Sequence, residues 1–278
     1  MPNPDLNDLV LTYIGGPTAL LELAGIRFLT DPTFDPAGSE YRTSVYTLRK
    51  HQDPAINPVA LGSVDVVLLS HDHHFDNLDN AGRAFLTSAK TVLTTSDAAS
   101  RLGDRSLALA NSQTFDILAL GGRVLRVTGT PARHGPADGD RGPVTGFMLN
   151  FADKPEASIY VSGDTVWYDG VAELAQQFNV KVAVLFMGAA RVKEVGPAHL
   201  TMSAEDGIEF ARAFPSATIV PLHYEGWEHF SESRNEIQHA FEAAGCADRL
   251  LWLQPGVATA LHHWASGHSA SRRVAAKS

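Results

Sequence analysis

The sequence predicts a layered α/β protein folded as one large domain over residues 1–265, followed by a mobile tail at 266–278. Three observations carry that expectation. Short β-rich runs alternate with amphipathic helical stretches; the run "VDVVLLS" (64–70) is apolar over a strand's length, as in a strand covered on both faces; and no linker or internal repeat divides the 278 residues. The chain exceeds the usual domain size, but layered α/β folds reach this length as single units.

Taken in order, "LVLTYIG", "TALLEL" and "IRFLTDP" are β-rich runs parted by Gly15-Gly16-Pro17 and by Gly25, which suggests an antiparallel meander. Residues 31–60 contain Pro32, Pro36, Pro54 and Pro58 and show no period, so they read as a long surface excursion of the kind that shapes an entrance. After "VDVVLLS", strands are predicted at "KTVLTT", "RVLRVTG", "VTGFMLNF", "SIYVSGD", "KVAVLFM", "ATIVPLH" and "RLLWLQPG". Val171, Leu174, Ala175 and Phe178 follow i, i+3, i+4, i+7, and Ile237, Ala240, Phe241 and Ala244 repeat that spacing. Ser203 stands three residues before Asp206, a cap for a helix running to about Phe214. The closing "SGHSASRRVAAKS" is small, polar and basic without periodicity, and His262, His263 and His268 read as surface residues.

Composition narrows the function classes. Hydrophobic residues at 44% and charged residues at 19% suit a soluble protein with a sizeable core. A formal net charge of −9 and a pI near 5.7 argue against nucleic acid or an anionic membrane as partner. No apolar run approaches a membrane span, and "MPNPDLNDLV" lacks the basic start and apolar core of a signal peptide, so the expected location is cytoplasmic. The lone Cys246 agrees with a reducing compartment, and with 12 histidines and no CxxC pair any metal site must use nitrogen and oxygen ligands. Nothing in the sequence specifies an oligomeric state.

The chemistry concentrates in "SHDHHFDNLD" (70–79), three histidines and three aspartates directly after a core strand. Further strand ends bring His134 in "TGTPARH", Asp164 in "YVSGD" and His223 in "IVPLH". One histidine after a strand is usually a satisfied polar residue. Four such positions on separate core strands suggest convergence on one mouth. Neutral imidazoles and ionised carboxylates are ligands for Zn²⁺, Mn²⁺ or Fe²⁺, and two ions held roughly 3.5–4 Å apart can lower the pKa of water and polarise the electrophile it attacks. No GxxxxGK[ST], GxGxxG after a strand or GxSxG is present, which leaves nucleotide cradling and serine hydrolysis without support.

These residues resemble the metallo-β-lactamase-fold hydrolases, in particular the group of metal-dependent hydrolases that includes ascorbate-phosphate lactonase-like proteins. The resemblance runs from "LTYIGGPTALLELAGIRFLTDP" to "LLWLQPG". It implies a four-layer αβ/βα sandwich of two mixed β-sheets flanked by helices, with metals at one edge of the sheets. The family pattern is HxHxDH after a strand, then an isolated His, Asp and His, matched here by His134, Asp164 and His223.

The first motif fits in three registers. Matching Asp76 and Leu78-Asp79 to the family's "DHLD" places His74 at the second histidine, Asp72 at the first, and Asn77 where the last histidine belongs. Matching from Ser70 instead puts the first histidine on His71 and inserts one residue before His74. The preferred set is His71, His74 and Asp76. A register through His71 and His73 leaves Phe75 at the carboxylate position, so His73 reads as a solvent-facing residue or one that supports a ligand. Asp79 reads as a ligand orienter or a helix cap.

Asn77 replaces an imidazole with a poorer ligand, which leaves both one and two ions open. One ion would sit on His71, His74, His134 and Asp164. Asp76, Asp164 and His223 would hold a second, or Asp76 and His223 would serve as base and orienter. His199 stands where it could supply the missing imidazole, touch substrate, or simply cap a loop. His229 and Glu225 are candidates for substrate contact or for holding His223, and Trp167, Tyr168, Tyr224 and Trp227 for walling the pocket. Arg133 is a candidate partner for an anionic group, as are Arg191 and Lys193.

The expected function is a metal-dependent hydrolase, with one or two divalent ions (zinc foremost, manganese or iron otherwise), directing metal-activated hydroxide at a small-molecule lactone, amide or ester. Asp76 or His223 would assist proton transfer. A phosphodiesterase of the same fold is the second reading, and it would want a basic groove near the metals. A non-catalytic metal-binding scaffold is the third, resting on Asn77. Against it, clustered buried His and Asp are costly without metal.

Overall fold

In the computed structural model, which describes residues 8–262 except 104 and 140, together with 264 and the backbone of 271–273, two β-sheets face one another across an apolar core. The first three strands, β1 (Leu9–Gly15), β2 (Thr18–Leu23) and β3 (Ile26–Thr30), form the expected antiparallel meander. The proline-rich excursion that follows carries a small hairpin, β4 (Glu40–Arg42) with β5 (Thr47–Arg49), and one helical turn, α1 (Pro58–Leu61). The chain re-enters the sheet at β6 (Val64–Leu68), parallel to β3. Crossover helices α2 (Asn80–Phe85) and α3 (Ser96–Leu102) then deliver β7 (Ala89–Thr94) and β8 (Ser106–Ala108), also parallel.

The second sheet begins as an antiparallel ladder of β9 (Thr114–Leu118), β10 (Val124–Thr130), β11 (Gly146–Phe151) and β12 (Lys154–Val161). It continues with parallel β13 (Val180–Phe186) and β14 (Thr218–Leu222), connected through α4 (Asp169–Ala172) and α5 (Ala204–Ala213). Ser203 and Asp206 make the expected reciprocal cap on α5, and Ser233 with Glu236 does the same for α6 (Arg234–Ala243). The first sheet is completed at its far edge by β15 (Ala258–Leu261) and β16 (Ser271–Arg273).

Three apolar clusters define the layers. Phe28, Val66 and Leu68 from the first sheet meet Val127, Leu149, Val184 and Val220 from the second. On the outer face of the second sheet, Tyr160, Leu185 and Ile219 pack against Phe210 of α5 and Phe241 of α6. On the outer face of the first, Leu29, Val67 and Val92 pack under Phe85 and Leu86. The result is the αβ/βα sandwich of two mixed sheets that the resemblance implied.

Two elements depart from expectation. The helix predicted through Phe178 is regular only to Ala172 and tightens into a 3₁₀ turn at Glu173–Gln176, although Val171 and Leu174 are buried as their spacing required. "RLLWLQPG" is not a strand. It makes one bridge, Leu250 with Ile219, and is held instead by side chains: Arg249 reaches the carbonyls of Ala211, Phe214 and Ala217, and the Trp252 indole donates to Gln238 Oε1 at 2.7 Å. The last strands lie beyond it. Of the tail at 266–278, Ser271–Arg273 form β16, while the remaining tail residues, His268 among them, and His263 lie outside the described residues. His262 pairs with Asp8, Nδ1 to Oδ2 at 2.7 Å.

Asp79 ties the excursion to the His/Asp loop. Oδ1 accepts from the backbone N–H groups of Gly82 (2.7 Å) and Phe34 (2.9 Å), and Oδ2 accepts from Asp35 N–H (2.7 Å) and Lys50 Nζ (3.0 Å). Both partners of the ion pair are buried. Gly82 is required beside it, because a Cβ there would lie 1.8 Å from the Pro32 carbonyl oxygen. Asp79→Ala removes the helix cap and strands the Lys50 charge, so its expected destabilisation in urea unfolding is about 3–5 kcal/mol. Lys50→Met leaves the carboxylate with three backbone donors, and its loss should be clearly smaller.

Candidate metal centre

The site is built at the ends of β6, β10, β12 and β14, all opening on one edge of the sandwich. After β6 the backbone is pinned by Ser70 N–H donating to Asp31 Oδ1 at 2.6 Å, and Ser70 Oγ sits 2.9 Å from His71 Nδ1. That contact turns the other ring nitrogen, Nε2, toward His74 Nδ1 at 3.0 Å. From the loop after β10, His134 Nδ1 donates to the Leu200 carbonyl at 2.8 Å, which leaves Nε2 as the acceptor, 3.0 Å from the same His74 nitrogen. Three ring nitrogens therefore converge, mutually within 4.8 Å.

Asp164 follows β12 through Gly163, whose φ of +59° and close approach to Ser70 Cβ (2.6 Å from a built Cβ) exclude a larger residue. His223 leaves β14 in the left-handed region at φ 54°, a strained conformation for a histidine, with its N–H held by the Gly16 carbonyl at 2.8 Å. Its Nε2 lies 3.4 Å from Asp76 Oδ2 and 3.5 Å from Asp164 Oδ1. His229 Nε2 lies 3.0 Å from Asp76 Oδ2, so Asp76, His223 and His229 form a second converging group.

Asp164 stands between the two groups. Oδ2 faces His134 Nε2 at 3.5 Å and Oδ1 faces His223. Both carboxylate oxygens are buried without a hydrogen-bond partner, as are both ring nitrogens of His223 and Nδ1 of His229. Buried polar atoms are rarely left so in proteins. A donor set of five imidazoles and two carboxylates fits divalent cations that accept nitrogen and oxygen.

Electrostatics agree with that fit. Burial and the neighbouring imidazoles hold His71 well below the usual range, and bring His74 down to about 3, chiefly by burial and then by His134. Burial works against ionising Asp76 and Asp164, yet His229 and His223 hold Asp76 well below its ordinary value, and His223 and His134 do the same for Asp164. Those carboxylates overcome the burial of His223 and push it up to about 10. Burial, then the Asp164 charge, lifts Asp31 to about 8.

The two raised groups bind protons more tightly folded than unfolded. Their contribution is full below the unfolded values and is lost as pH rises through about 8 for Asp31 and about 10 for His223. Chelated protein should therefore lose thermal stability between pH 7 and pH 10. Metal-loaded protein should show a flatter profile, because the cation replaces the proton among the carboxylates. Melting temperatures across that range, with and without chelator, check this.

The other candidates belong to neither converging group, although the His73 ring stands 4.3 Å from that of His74 and 4.7 Å from that of His71. Asn77 is buried with Nδ2 toward Asp31 Oδ2 at 3.4 Å. Asp72 pairs with Arg101, Nε to Oδ2 at 3.0 Å, and His73 Nε2 meets the Arg141 carbonyl at 2.8 Å. His199 turns to Asp206 Oδ2 at 2.9 Å beside the α5 cap. Arg133 lies over the Tyr168 ring and bonds the Gly135 carbonyl. Trp167 packs edge-on against Phe210, and Tyr224 edge-on against Trp252. Trp227 is buried against Tyr41 with Lys50 beside its ring.

His229, read from sequence as a candidate for substrate contact or for holding His223, stands beside Asp76, Nε2 to Oδ2 at 3.0 Å. The signal was available: the loop carrying His223 offers a second histidine six residues on, and the first motif lacks one. A narrow inner pocket of about 30 Å³ reaches His74, Asp76, His134 and His229, walled by Tyr46, Leu48, Arg141, Ala190, Val192, Val195 and Leu200. It opens past Tyr46, Leu48, Val192 and His229 into a cavity of about 570 Å³ under the β4–β5 hairpin, so the excursion does frame an entrance.

Residues 26–224 match the beta-lactamase superfamily domain model. A UPF0173 metal-dependent hydrolase of Pelotomaculum thermopropionicum is 30% identical over 205 residues, covering 69% of this chain and 80% of that protein. The UPF0173 protein YddR of Bacillus subtilis is 26% identical over 257 residues, covering 88% and 97%. Among solved structures, the isothiocyanate hydrolase from Delia radicum gut bacteria superposes with a TM-score of 0.73 at 24% identity, over 90% of this chain and 98% of that one. A possible metal-dependent hydrolase of Veillonella parvula gives 0.74 at 20% identity over the same shares. No helix among the described residues is long and apolar enough to cross a membrane. With matching family model, matching relatives and a converging His/Asp centre, the chain belongs to the beta-lactamase superfamily and, within it, to the UPF0173 metal-dependent hydrolases.

Proposed function

We propose a two-cation hydrolase of small molecules, with His71, His74 and His134 holding one ion, Asp76, His223 and His229 the other, and Asp164 shared between them. The observation that carries this is Asp164 itself: each carboxylate oxygen is buried, faces a different histidine group, and lacks any other partner. A nitrogen-rich donor set favours zinc, with iron or manganese as the alternatives. When bound, the ions supply acidified water and polarise the electrophile. Asp76, in contact with both His223 and His229, takes the proton released in the attack and passes it toward the leaving group. Leu48, Val192 and Leu200 wall the narrow pocket and exclude bulk water from the reacting atoms. A single free cysteine suits the cytoplasmic location expected above.

We favour a lactone, ester or amide over a phosphodiester, because the inner pocket is narrow and its wall, Tyr46 and Arg141 apart, is apolar. The test is zinc-loaded protein against a panel of lactones, esters, amides, phosphodiesters and isothiocyanates, before and after chelation. Turnover of a carbonyl substrate, lost with chelator and restored by zinc, supports the reading. Turnover of phosphodiesters alone assigns the second reading in its place. No metal-dependent turnover across the panel contradicts both.

A further inference from the structure

We infer that Arg141 binds an oxyanionic group of the substrate, carboxylate or phosphoryl, beside the scissile bond, so that the pocket selects small anionic molecules. The inference rests on the hydrolase reading for the fate of the bound molecule, though not for the binding itself. Arg141 shares the wall of the inner pocket with His74, Asp76, His134 and His229. Its Nη2 donates to the Val195 carbonyl at 3.1 Å, but Nε is buried with no hydrogen-bond partner. Arg141 thus brings to the pocket wall a guanidinium that the chain satisfies only in part, a cation prepared for an acceptor that comes from outside the chain.

Its position is set by the centre. The Arg141 N–H donates to the His134 carbonyl at 2.8 Å, and its own carbonyl meets His73 Nε2 at 2.8 Å. The residue is thus clamped to both histidine loops, which fixes the guanidinium relative to the reacting atoms and gives His73 a part without ligation. Gly142 completes the clamp: at φ +103° a Cβ would stand 3.0 Å from His73 Nε2. Tyr46 also lines the pocket, and its phenol offers a second donor there.

The approach to the pocket has the matching sign. The outer cavity is lined by Arg42, Arg49, Arg191 and Lys193 against Glu194 and Glu228. Arg49 is engaged by Glu40 and Glu228, and Arg191 by Ser231 and the Pro197 carbonyl. Glu40 pairs with both Arg42 and Arg49, so the mouth carries four cations against three anions, a small positive excess in a chain of formal net charge −9.

The test titrates zinc-loaded wild type, Arg141→Gln and Arg141→Lys with succinate, methyl phosphate and uncharged dimethyl succinate, by calorimetry, with zinc content measured on each. Succinate or methyl phosphate should bind wild type, bind Arg141→Gln at least 10-fold more weakly at unchanged zinc content, and be partly restored by Arg141→Lys. Whichever of the two binds more tightly identifies the oxyanion, and dimethyl succinate should give no heat. In kinetics, the preference for monomethyl over dimethyl succinate should fall at least 10-fold in Arg141→Gln, mainly through KM. Equal affinity in wild type and Arg141→Gln, no anion binding by wild type, or weaker binding that follows loss of zinc would each overturn the inference. If neither ester turns over while the anion binding still depends on Arg141, the hydrolase reading fails and the anion site stands.

Discussion

Asp164→Ala is expected to abolish binding of both ions and lower metal-dependent turnover by about 10³-fold or more, equivalent to several kcal/mol of transition-state stabilisation. Asp164 faces both histidine groups, at 3.5 Å from His134 and 3.5 Å from His223. Without it each group keeps three ligands, but the two sites lose the negative charge that offsets repulsion between neighbouring cations. The fold should persist, because neither oxygen hydrogen-bonds the backbone and its contacts are confined to the His134 and His223 rings. Elemental analysis beside a thermal melt separates the two effects: metal content collapses while the metal-free protein still unfolds cooperatively, at a melting temperature lowered only by the lost pairing of His223 with Asp164. Retention of two ions would show that Asp164 is not shared.

His229→Ala is expected to release one ion and keep the other, with turnover falling by about 10²-fold or more if both ions serve the reaction. His229 Nε2 lies 3.0 Å from Asp76 Oδ2, and in the proposed site it takes the part that the family pattern gives to a histidine at position 77. Asn77→His, which restores that pattern on paper, should restore nothing. The position is fully buried, with its amide nitrogen directed to Asp31 Oδ2 at 3.4 Å, and it belongs to neither converging group. An imidazole there overpacks the site, at a cost of about 1–3 kcal/mol. Metal content in His229→Ala, Asn77→His and the double variant checks the exchange. Two ions in His229→Ala, or a second ion regained in the double variant, would return the ligand role to position 77.

Much of this was legible in the sequence because strand ends are. A buried strand such as "VDVVLLS" announces itself by an unbroken apolar run, and the polar residue after it must point to the sheet edge. That reasoning found His71, His74, His134, Asp164 and His223, which the fold gathers at one edge. It did not separate His229 from His199, since both lie in loops, where side-chain direction follows tertiary hydrogen bonds. His199 is taken by Asp206, which also closes the α5 cap. Arg141 was invisible for a similar reason: its pocket position comes from backbone bonds to His134 and His73, and neither leaves a local pattern. The short strands β8, β9 and β15 escaped as well, being three to five residues long and paired by long-range register. The excursion over 31–60 does line the outer cavity, through its hairpin, yet its anchor, Lys50 on Asp79, joins residues 29 positions apart.

The central claim is that this centre holds two cations despite the asparagine in its first motif. The most direct measurement is the metal content per chain of wild-type protein, prepared metal-replete, dialysed and analysed by inductively coupled plasma spectrometry. Two ions per chain are expected, with His71, His74 and His134 accounting for one and Asp76, His223 and His229 for the other. A single ion that persists unchanged in His229→Ala, or no ion at all, would contradict the account.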